Sequence, residues 1–146
     1  MLNYDTEKKH DYYDAIMKSL DEYSYRNKRY NIEFAIAIGL CNVNVDFKDF
    51  IKNKRKTDTL IPLEENMCCL VLDCAPAESA VKATSNMQVS FHDKYSERQL
   101  FTGVVSSKDY DSDQTMVDSL FDILEYSIAN NMEGLIADVH NMGHSS

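Results

Sequence analysis

The sequence has no tryptophan, only two prolines and only four glycines among its 146 residues. With so few glycines it contains neither a glycine-rich phosphate-binding loop nor the G-x-S-x-G frame of a serine nucleophile. No apolar run reaches the ~18–20 residues that a membrane-spanning helix needs. The charged first ten residues also lack the apolar core of a signal peptide. These absences predict a soluble, cytoplasmic protein that has no loop for cradling a triphosphate.

No CxxC pair occurs among the four cysteines, Cys41, Cys68, Cys69 and Cys74. Cys68 and Cys69 are adjacent in an apolar run that predicts a buried strand. Because adjacent strand residues point to opposite faces, these two cannot easily share a metal ion or a disulfide. We therefore expect all four to be reduced, buried and unreactive thiols, as in a cytosolic protein.

The sequence predicts no metal site and no cofactor. Its four histidines are scattered, and the only close pair, His140 and His144, lies near the C-terminus. One pair supplies too few ligands for a zinc site.

Basic residues are also in the minority. The 24 acidic and 15 basic residues give a formal net charge of −9, which repels a phosphate backbone. Two basic clusters, 26–29 and 52–56, are interpreted as solvated helix ends, where positive charge suits the helix dipole. Nucleic acid is therefore not an expected partner.

The length and the 44% content of hydrophobic residues predict one globular domain over residues 1–146, with a disordered tail at 141–146. Hydrophobic periodicity predicts helices, strands and one hairpin in a fixed order. They are a helix at 5–29, a strand at 32–41, a short helix at 46–54, a hairpin at 57–73, a helix at 76–87, a strand at 99–106, a helix at 112–131 and a strand at 134–139. Residues 88–97 are ambiguous and begin with a strand-like alternation, and Gly103 is a possible bulge. This order indicates an α+β fold with an antiparallel or mixed sheet.

One stretch of the chain carries a specific resemblance. Arg55-Lys56-Thr57-Asp58 is followed after five residues by Glu64-Glu65-Asn66-Met67-Cys68 and then by an apolar strand. Further along, Phe101-Thr102-Gly103-Val104-Val105 and Asn131-Met132-Glu133-Gly134 add framework similarity. In order and spacing the chain resembles the GGDEF domain, the catalytic unit of bacterial diguanylate cyclases. The resemblance implies a ferredoxin-like fold of the nucleotidyl-cyclase type, with helices packed on a central mixed or antiparallel sheet.

The residues that this resemblance would require for catalysis are replaced. The family holds two magnesium ions with hard oxygen ligands, and an Asp-x-Asp run ends its first strand. Here either Gly39 and Cys41 or, in a second register, Val43 and Val45 stand at those positions. The signature itself is degenerate, with Glu64 and Glu65 in place of the glycines, Asn66 in place of the acidic ligand, and Met67 and Cys68 after it. We therefore expect no diguanylate cyclase activity.

Three functions remain open. The leading hypothesis is a non-catalytic regulatory module of bacterial signalling that binds an unknown protein or a second copy of itself. Its candidate surfaces are the tyrosine-bearing first helix and the acidic hairpin. The alternative is an effector module that binds a nucleotide or cyclic dinucleotide through Arg55 and Asp58, which match the spacing of the family's inhibitory site. The same pair is also interpretable as a structural ion pair, and an enzyme of unrecognised chemistry is the third hypothesis.

Overall fold

A five-stranded sheet lies at the centre of the computed structural model, which describes residues 2–49, 51 and 54–139. The strands are β1 (Ala35–Cys41), β2 (Thr59–Glu64), β3 (Met67–Leu72), β4 (Leu100–Ser106) and β5 (Ile136–Ala137). The helices are α1 (Lys9–Ser19), α2 (Asp21–Tyr30), α3 (Ala77–Lys94) and α4 (Asp113–Ala129). Short 3₁₀ turns occur at Thr6–Lys8, Phe47–Asp49 and Ser107–Asp109.

The sheet is mixed, with the strand order β2-β3-β1-β4-β5. Only the β4–β5 pair is parallel, and the other three pairs are antiparallel. The expected α+β fold with a mixed or antiparallel sheet is therefore confirmed. In the described part of the chain, no helix is long and apolar enough to cross a membrane.

The helices lie on both faces of the sheet, because successive side chains of β1 alternate between two cores. Ile36, Ile38 and Leu40 pack into the core formed with α1, α2 and α4. Ala35, Ala37 and Cys41 face the other side, where they pack with residues of α3. All seven residues of β1 are buried, so the prediction of a strand covered on both faces is confirmed.

The first helix differs from the prediction of one helix over 5–29. It is divided at Leu20, whose backbone N–H donates to the carbonyl of Met17 and closes α1 with a tight turn. A new helix, α2, begins at Asp21. It ends at Tyr30 and is capped by Asn31, which adopts the left-handed conformation (φ 56°) and whose backbone N–H donates to the carbonyls of Arg26 and Asn27.

Of the predicted helix over 46–54, the described residues show one 3₁₀ turn, Phe47–Asp49. Phe50, Lys52 and Asn53 lie outside the described residues, and Lys54 and Arg55 are not helical. The predicted tail at 141–146 also lies outside the described residues.

Helix α3 extends to Lys94, so the predicted helix end at residue 87 is wrong, and most of the ambiguous residues 88–97 are helical. Tertiary contacts, and not the local alternation of apolar and polar residues, determine the conformation of this segment. Phe91 is fully buried, and the Gln88 side chain donates to Oγ1 of Thr102 (2.9 Å) and to the carbonyl of Leu135 (3.1 Å). An extended chain would not bring both side chains to the sheet on one side.

Gly103 does not form a bulge, since β4 keeps an unbroken register with β1 through Gly103 and Ile38. Its role is steric. A Cβ atom at Gly103 would lie 3.1 Å from Cγ2 of Ile123 on α4, so the glycine permits the helix to approach the sheet. The predicted helix start is confirmed, with the Ser112 hydroxyl accepting from the N–H of Thr115 (3.2 Å).

Candidate functional site

The β2–β3 hairpin carries the residues that the sequence marked as signature positions. Glu64 pairs with Met67 across the hairpin, so Glu65 and Asn66 form its turn. The pairing shifts register between Pro62 and Glu64. The predicted acidic hairpin is therefore confirmed.

Asn66 ties this turn to two other segments. It is 6% exposed, and its amide nitrogen donates to the carbonyls of Asn3 (2.7 Å) and Cys41 (3.1 Å). The backbone carbonyl of Asn66 accepts from the N–H of Cys41 (2.8 Å). A carboxylate at this position would have no proton to donate and would face two carbonyl oxygens. The contacts are specific for a donor side chain.

Glu64 is bound by the N-terminal part of the chain. One of its carboxylate oxygens accepts from the Tyr12 hydroxyl (2.7 Å) and from Nζ of Lys8 (3.2 Å). These hydrogen bonds, first that from Tyr12 and then that from Lys8, lower the pKa of Glu64 below its ordinary value. Burial and the bond to Glu64 raise the pKa of the Tyr12 hydroxyl, so this hydroxyl stays a donor at neutral pH.

Glu65 is bound from the other side of the turn. Its carboxylate accepts from the side-chain amide of Asn44 (2.7 Å), and its carbonyl accepts from the N–H of Val45 (3.0 Å). The segment that follows β1 therefore holds the turn in addition to the contacts from α1. A groove of about 850 Å³ lies beside it, lined by residues of the 45–54 segment and of β2.

The remaining signature positions belong to the core. Gly39 faces α3: a Cβ atom there would lie 3.6 Å from Cε of Met87 on that helix and 3.5 Å from Cδ1 of Leu100 on β4. Cys41, Met67 and Cys68 are each no more than 1% exposed. Burial raises the pKa of the Cys41 thiol to about 12, so it is protonated at neutral pH. None of these four side chains is a hard oxygen ligand.

Among the described residues, no group of three or more histidine, cysteine, aspartate or glutamate side chains is placed to hold a metal ion. His10 pairs with Asp14 (3.3 Å), and Nδ1 of His92 lies 2.9 Å from the carbonyl of Gln88. The histidine pair that the sequence singled out, His140 and His144, lies outside the described residues.

Arg55 and Asp58 meet at the opposite, open end of the hairpin, where they form an ion pair. Asp58 is 5% exposed. Its carboxylate accepts from the backbone N–H groups of Asp73 (2.8 Å) and Arg55 (3.0 Å) and from the Arg55 guanidinium (3.3 Å). The guanidinium also donates to the carbonyl of Asp73. The pair thus fastens the start of β2 to the end of β3.

Two participants in this corner were missed from the sequence. The carboxylate of Asp73 pairs with Nη1 of Arg26 on α2 (3.0 Å). Arg26 was assigned to a solvated helix end, although its side chain is only 27% exposed. The sequence held no local signal for this pair, because 47 residues separate its members.

A cleft of about 270 Å³ lies beside Arg55, between α3 and β3. Leu70 and Leu72 contribute apolar surface, and Lys54 and Arg55 contribute positive charge. The α3 side of the cleft is formed by Ser79, Ala83, Asn86 and Ser90. Their spacing of four, three and four residues places them on one helical face, a signal that the sequence contained and that went unused.

The four thiols do not behave alike. Cys41, Cys68 and Cys69 are buried, as predicted, but Cys74 is exposed. Cys74 follows β3 in a turn and has a positive φ of 50°, so its side chain leaves the strand geometry that would have buried it. The prediction of four buried thiols is therefore wrong for Cys74.

No protein-family model and no curated protein matches this chain. Solved structures do match it. The GGDEF domain of YfiN from Pseudomonas aeruginosa aligns with a TM-score of 0.71 at 12% identity, over 83% of this chain and 91% of that one. The GGDEF domain of DgcB from Caulobacter crescentus, solved in complex with c-di-GMP, aligns with a TM-score of 0.69 at 9% identity, over 86% of each chain.

A third structure is the diguanylate cyclase SiaD of Pseudomonas aeruginosa, solved in complex with its activator SiaC. It aligns with a TM-score of 0.70 at 11% identity, over 85% of this chain and 56% of that one. At identities this low the likeness concerns the fold and not the chemistry. The architecture that the sequence resemblance implied is confirmed: this chain has the fold of a GGDEF domain.

Proposed function

We propose that this chain is a non-catalytic regulatory module that uses the GGDEF fold for binding. The observation that carries the proposal is the environment of Asn66. Its side chain donates two hydrogen bonds to carbonyl oxygens, at the position where the sequence resemblance would require an acidic metal ligand.

The neighbouring positions support the same proposal. Glu64 and Glu65 stand where glycines would allow backbone to approach a phosphate. Each glutamate carboxylate is held by side chains from another segment of the chain. Two carboxylates at this turn would repel a triphosphate. At the end of β1, buried Gly39 and Cys41 provide no ligand for magnesium.

The deciding experiment is incubation of the protein with GTP and magnesium, followed by chromatography for cyclic dinucleotide products. An active diguanylate cyclase, assayed in parallel, is the positive control. We expect no product above the no-protein blank. Turnover by the wild type that scales with its concentration and disappears in the Asn66→Ala variant would overturn the proposal.

A second candidate function is the binding of a nucleotide or cyclic dinucleotide at the Arg55 corner. It is favoured by the cleft beside Arg55, whose side chain is 54% exposed. Arginine is well suited to phosphate, and DgcB is one fold neighbour solved with c-di-GMP. However, the Asp58 carboxylate is engaged with backbone N–H groups, and 270 Å³ lies just below the usual range of ~300–1,000 Å³ for ligand pockets.

Isothermal titration calorimetry with c-di-GMP tests this second function. Binding that is lost in Arg55→Ala and retained in the control Lys82→Ala, on the exposed side of α3, would support it. An absence of heat at protein concentrations of several hundred micromolar would remove it and leave the first function unaffected.

A further inference from the structure

The exposed face of α2 has an antisymmetric distribution of charge. Asp21 and Glu22 lie at its start, Lys28 and Arg29 lie at its end, and Tyr25 lies midway between them. All five side chains are exposed. At 100° per residue they occupy an arc of ~120° on one side of the helix. We call these five residues the α2 face.

Among the described residues, the side-chain contacts of this face stay within α2, where the Arg29 guanidinium lies 5.9 Å from the centroid of the Tyr30 ring. The four charged residues of the face form no ion pair within the described chain, whereas Arg26 of the same helix pairs with Asp73. Tyr25 is 57% exposed. It contacts the ring of Tyr30, itself 59% exposed, edge to face at a centroid distance of 6.4 Å. Exposed aromatic side chains flanked by arginine are typical of the centres of protein interfaces.

We propose that the α2 face is a homodimer contact, in which the α2 helices of two copies pack antiparallel about a twofold axis at Tyr25. In this arrangement Asp21 lies beside Lys28 of the second copy, and Glu22 lies beside its Arg29, because each of these pairs shares one side of the line through Tyr25. Each Tyr25 ring packs against its own counterpart. This inference deepens the proposed binding function, because it names the partner as a second copy of the chain.

The charge pattern favours a second copy over an unrelated partner. A twofold contact requires a surface that is complementary to itself. The α2 face meets that requirement, because its acidic residues at one end and its basic residues at the other lie at equal distances from Tyr25. A uniformly acidic or basic partner would instead repel one half of the helix. The location is also favourable, since α2 lies on the sheet face opposite to α3, away from the cleft at Arg55.

The contact is expected to be weak. One pair of ten-residue helices buries less than the ~1,200 Å² of a standard interface, and each copy carries a net charge of −9. Dissociation constants of tens to hundreds of micromolar, on the order of −5 to −6 kcal/mol, fit an interface of this size.

Sedimentation velocity with two charge-reversal variants tests the proposal. Asp21→Lys with Glu22→Lys makes the α2 face entirely basic, and Lys28→Glu with Arg29→Glu makes it entirely acidic. Each variant should be monomeric at concentrations where the wild type dimerises. An equimolar mixture should form a heterodimer, identified by a mass tag on one variant. Tyr25→Ala should raise the dissociation constant roughly tenfold, and the control Lys82→Glu on α3 should not change it.

A wild type that stays monomeric at ~1 mM would overturn the proposal, as would charge-reversed variants that are folded by circular dichroism and dimerise like the wild type. Failure of the mixture to form the heterodimer would overturn it as well. No nucleotide enters this experiment, so a monomeric result refutes only the dimer, whereas turnover of GTP refutes only the non-catalytic function.

Discussion

The two ends of the β2–β3 hairpin differ in how closely their residues match the family pattern that the sequence resembles. At the open end, Arg55 and Asp58 match the family pattern in both identity and spacing, and they fasten two strands together. At the turn, the glycines and the acidic ligand are replaced by Glu64, Glu65 and Asn66, which bind other parts of this chain. The matching pair at the open end supports the fold, and under the proposed function the changed residues at the turn bind this chain instead of a metal ion.

The two ends also differ in how they are fastened. The open end depends on the Asp58 carboxylate, which accepts from groups within 15 residues of it along the chain, and on one long-range pair, Arg26 of α2 with Asp73. The turn depends on several segments, because its contacts come from the N-terminal residues, from α1 and from the loop after β1. Substitutions at the two ends should therefore have different consequences for stability.

The largest effect is expected at the open end. Asp58→Ala removes the acceptor of two backbone N–H groups and of the Arg55 guanidinium, leaving a buried N–H of Asp73 without a partner. We expect a loss of ~2–4 kcal/mol in the free energy of unfolding, measured by urea denaturation. Asp93→Ala, on an exposed part of α3, is the control and should remain within ~0.5 kcal/mol of the wild type. A small effect of Asp58→Ala would show that the corner is not a structural element.

A somewhat smaller effect is expected at the turn. Asn66→Asp places a carboxylate against the carbonyls of Asn3 and Cys41, both of which now accept from the amide. We expect a loss of ~2–3 kcal/mol at neutral pH, reduced at acidic pH where the carboxyl is protonated and regains a donor. Asn66→Ala is the matched variant, and its loss should not depend on pH. Equal stability of Asn66→Asp and the wild type would mean that the turn still accommodates an acidic ligand.

These contrasts bear on what the sequence alone could predict. The hairpin, the buried strand β1 and the capped helix α4 were predicted correctly, because their signals are local: a continuous apolar run, a turn between two strands and a serine at a helix start. The correct spacing of Arg55 and Asp58 is likewise a local feature. The signature positions Glu64, Glu65 and Asn66 were located in the hairpin from the sequence, although their partners were not.

The errors arose where distant contacts decide the structure. Residues 88–94 are helical because Phe91 and Gln88 pack on the sheet, a fact that their alternating pattern conceals. Cys74 is exposed because the backbone turns left-handed after β3. The contacts of Asn66 with Asn3 and of Glu64 with Tyr12 span 63 and 52 residues, so no motif or periodicity reveals them. The fold can therefore be predicted from the sequence more fully than the side-chain contacts of the candidate site.

A third, smaller effect concerns the pH dependence of the turn. The pKa of Glu64 is lowered in the folded state by the hydrogen bonds from Tyr12 and Lys8. The stabilisation is present above the unfolded-state pKa of glutamate, ~4.3, and is lost as the pH falls through the lower folded-state value. Glu64→Gln should therefore differ most from the wild type above pH ~5 and converge with it in acid. Thermal unfolding from pH 3 to 7 measures this, and a constant difference across that range would contradict it.

The smallest effect on stability is expected for Cys74→Ser at the open end, within ~0.5 kcal/mol, because this side chain is exposed. Its effect on thiol reactivity should nevertheless be large, because the substitution removes the exposed thiol. The native protein should show one thiol that reacts rapidly with a disulfide reagent, and Cys74→Ser should remove it. Burial raises the pKa of Cys41, Cys68 and Cys69, so these thiols should react only on unfolding.

Slow labelling of Cys41 or Cys68 therefore reports opening of the structure near the turn. In Asn66→Asp this slow labelling should accelerate, while the rapid reaction of Cys74 stays unchanged. Equal acceleration at both places would show that the two ends of the hairpin open together and are not fastened independently.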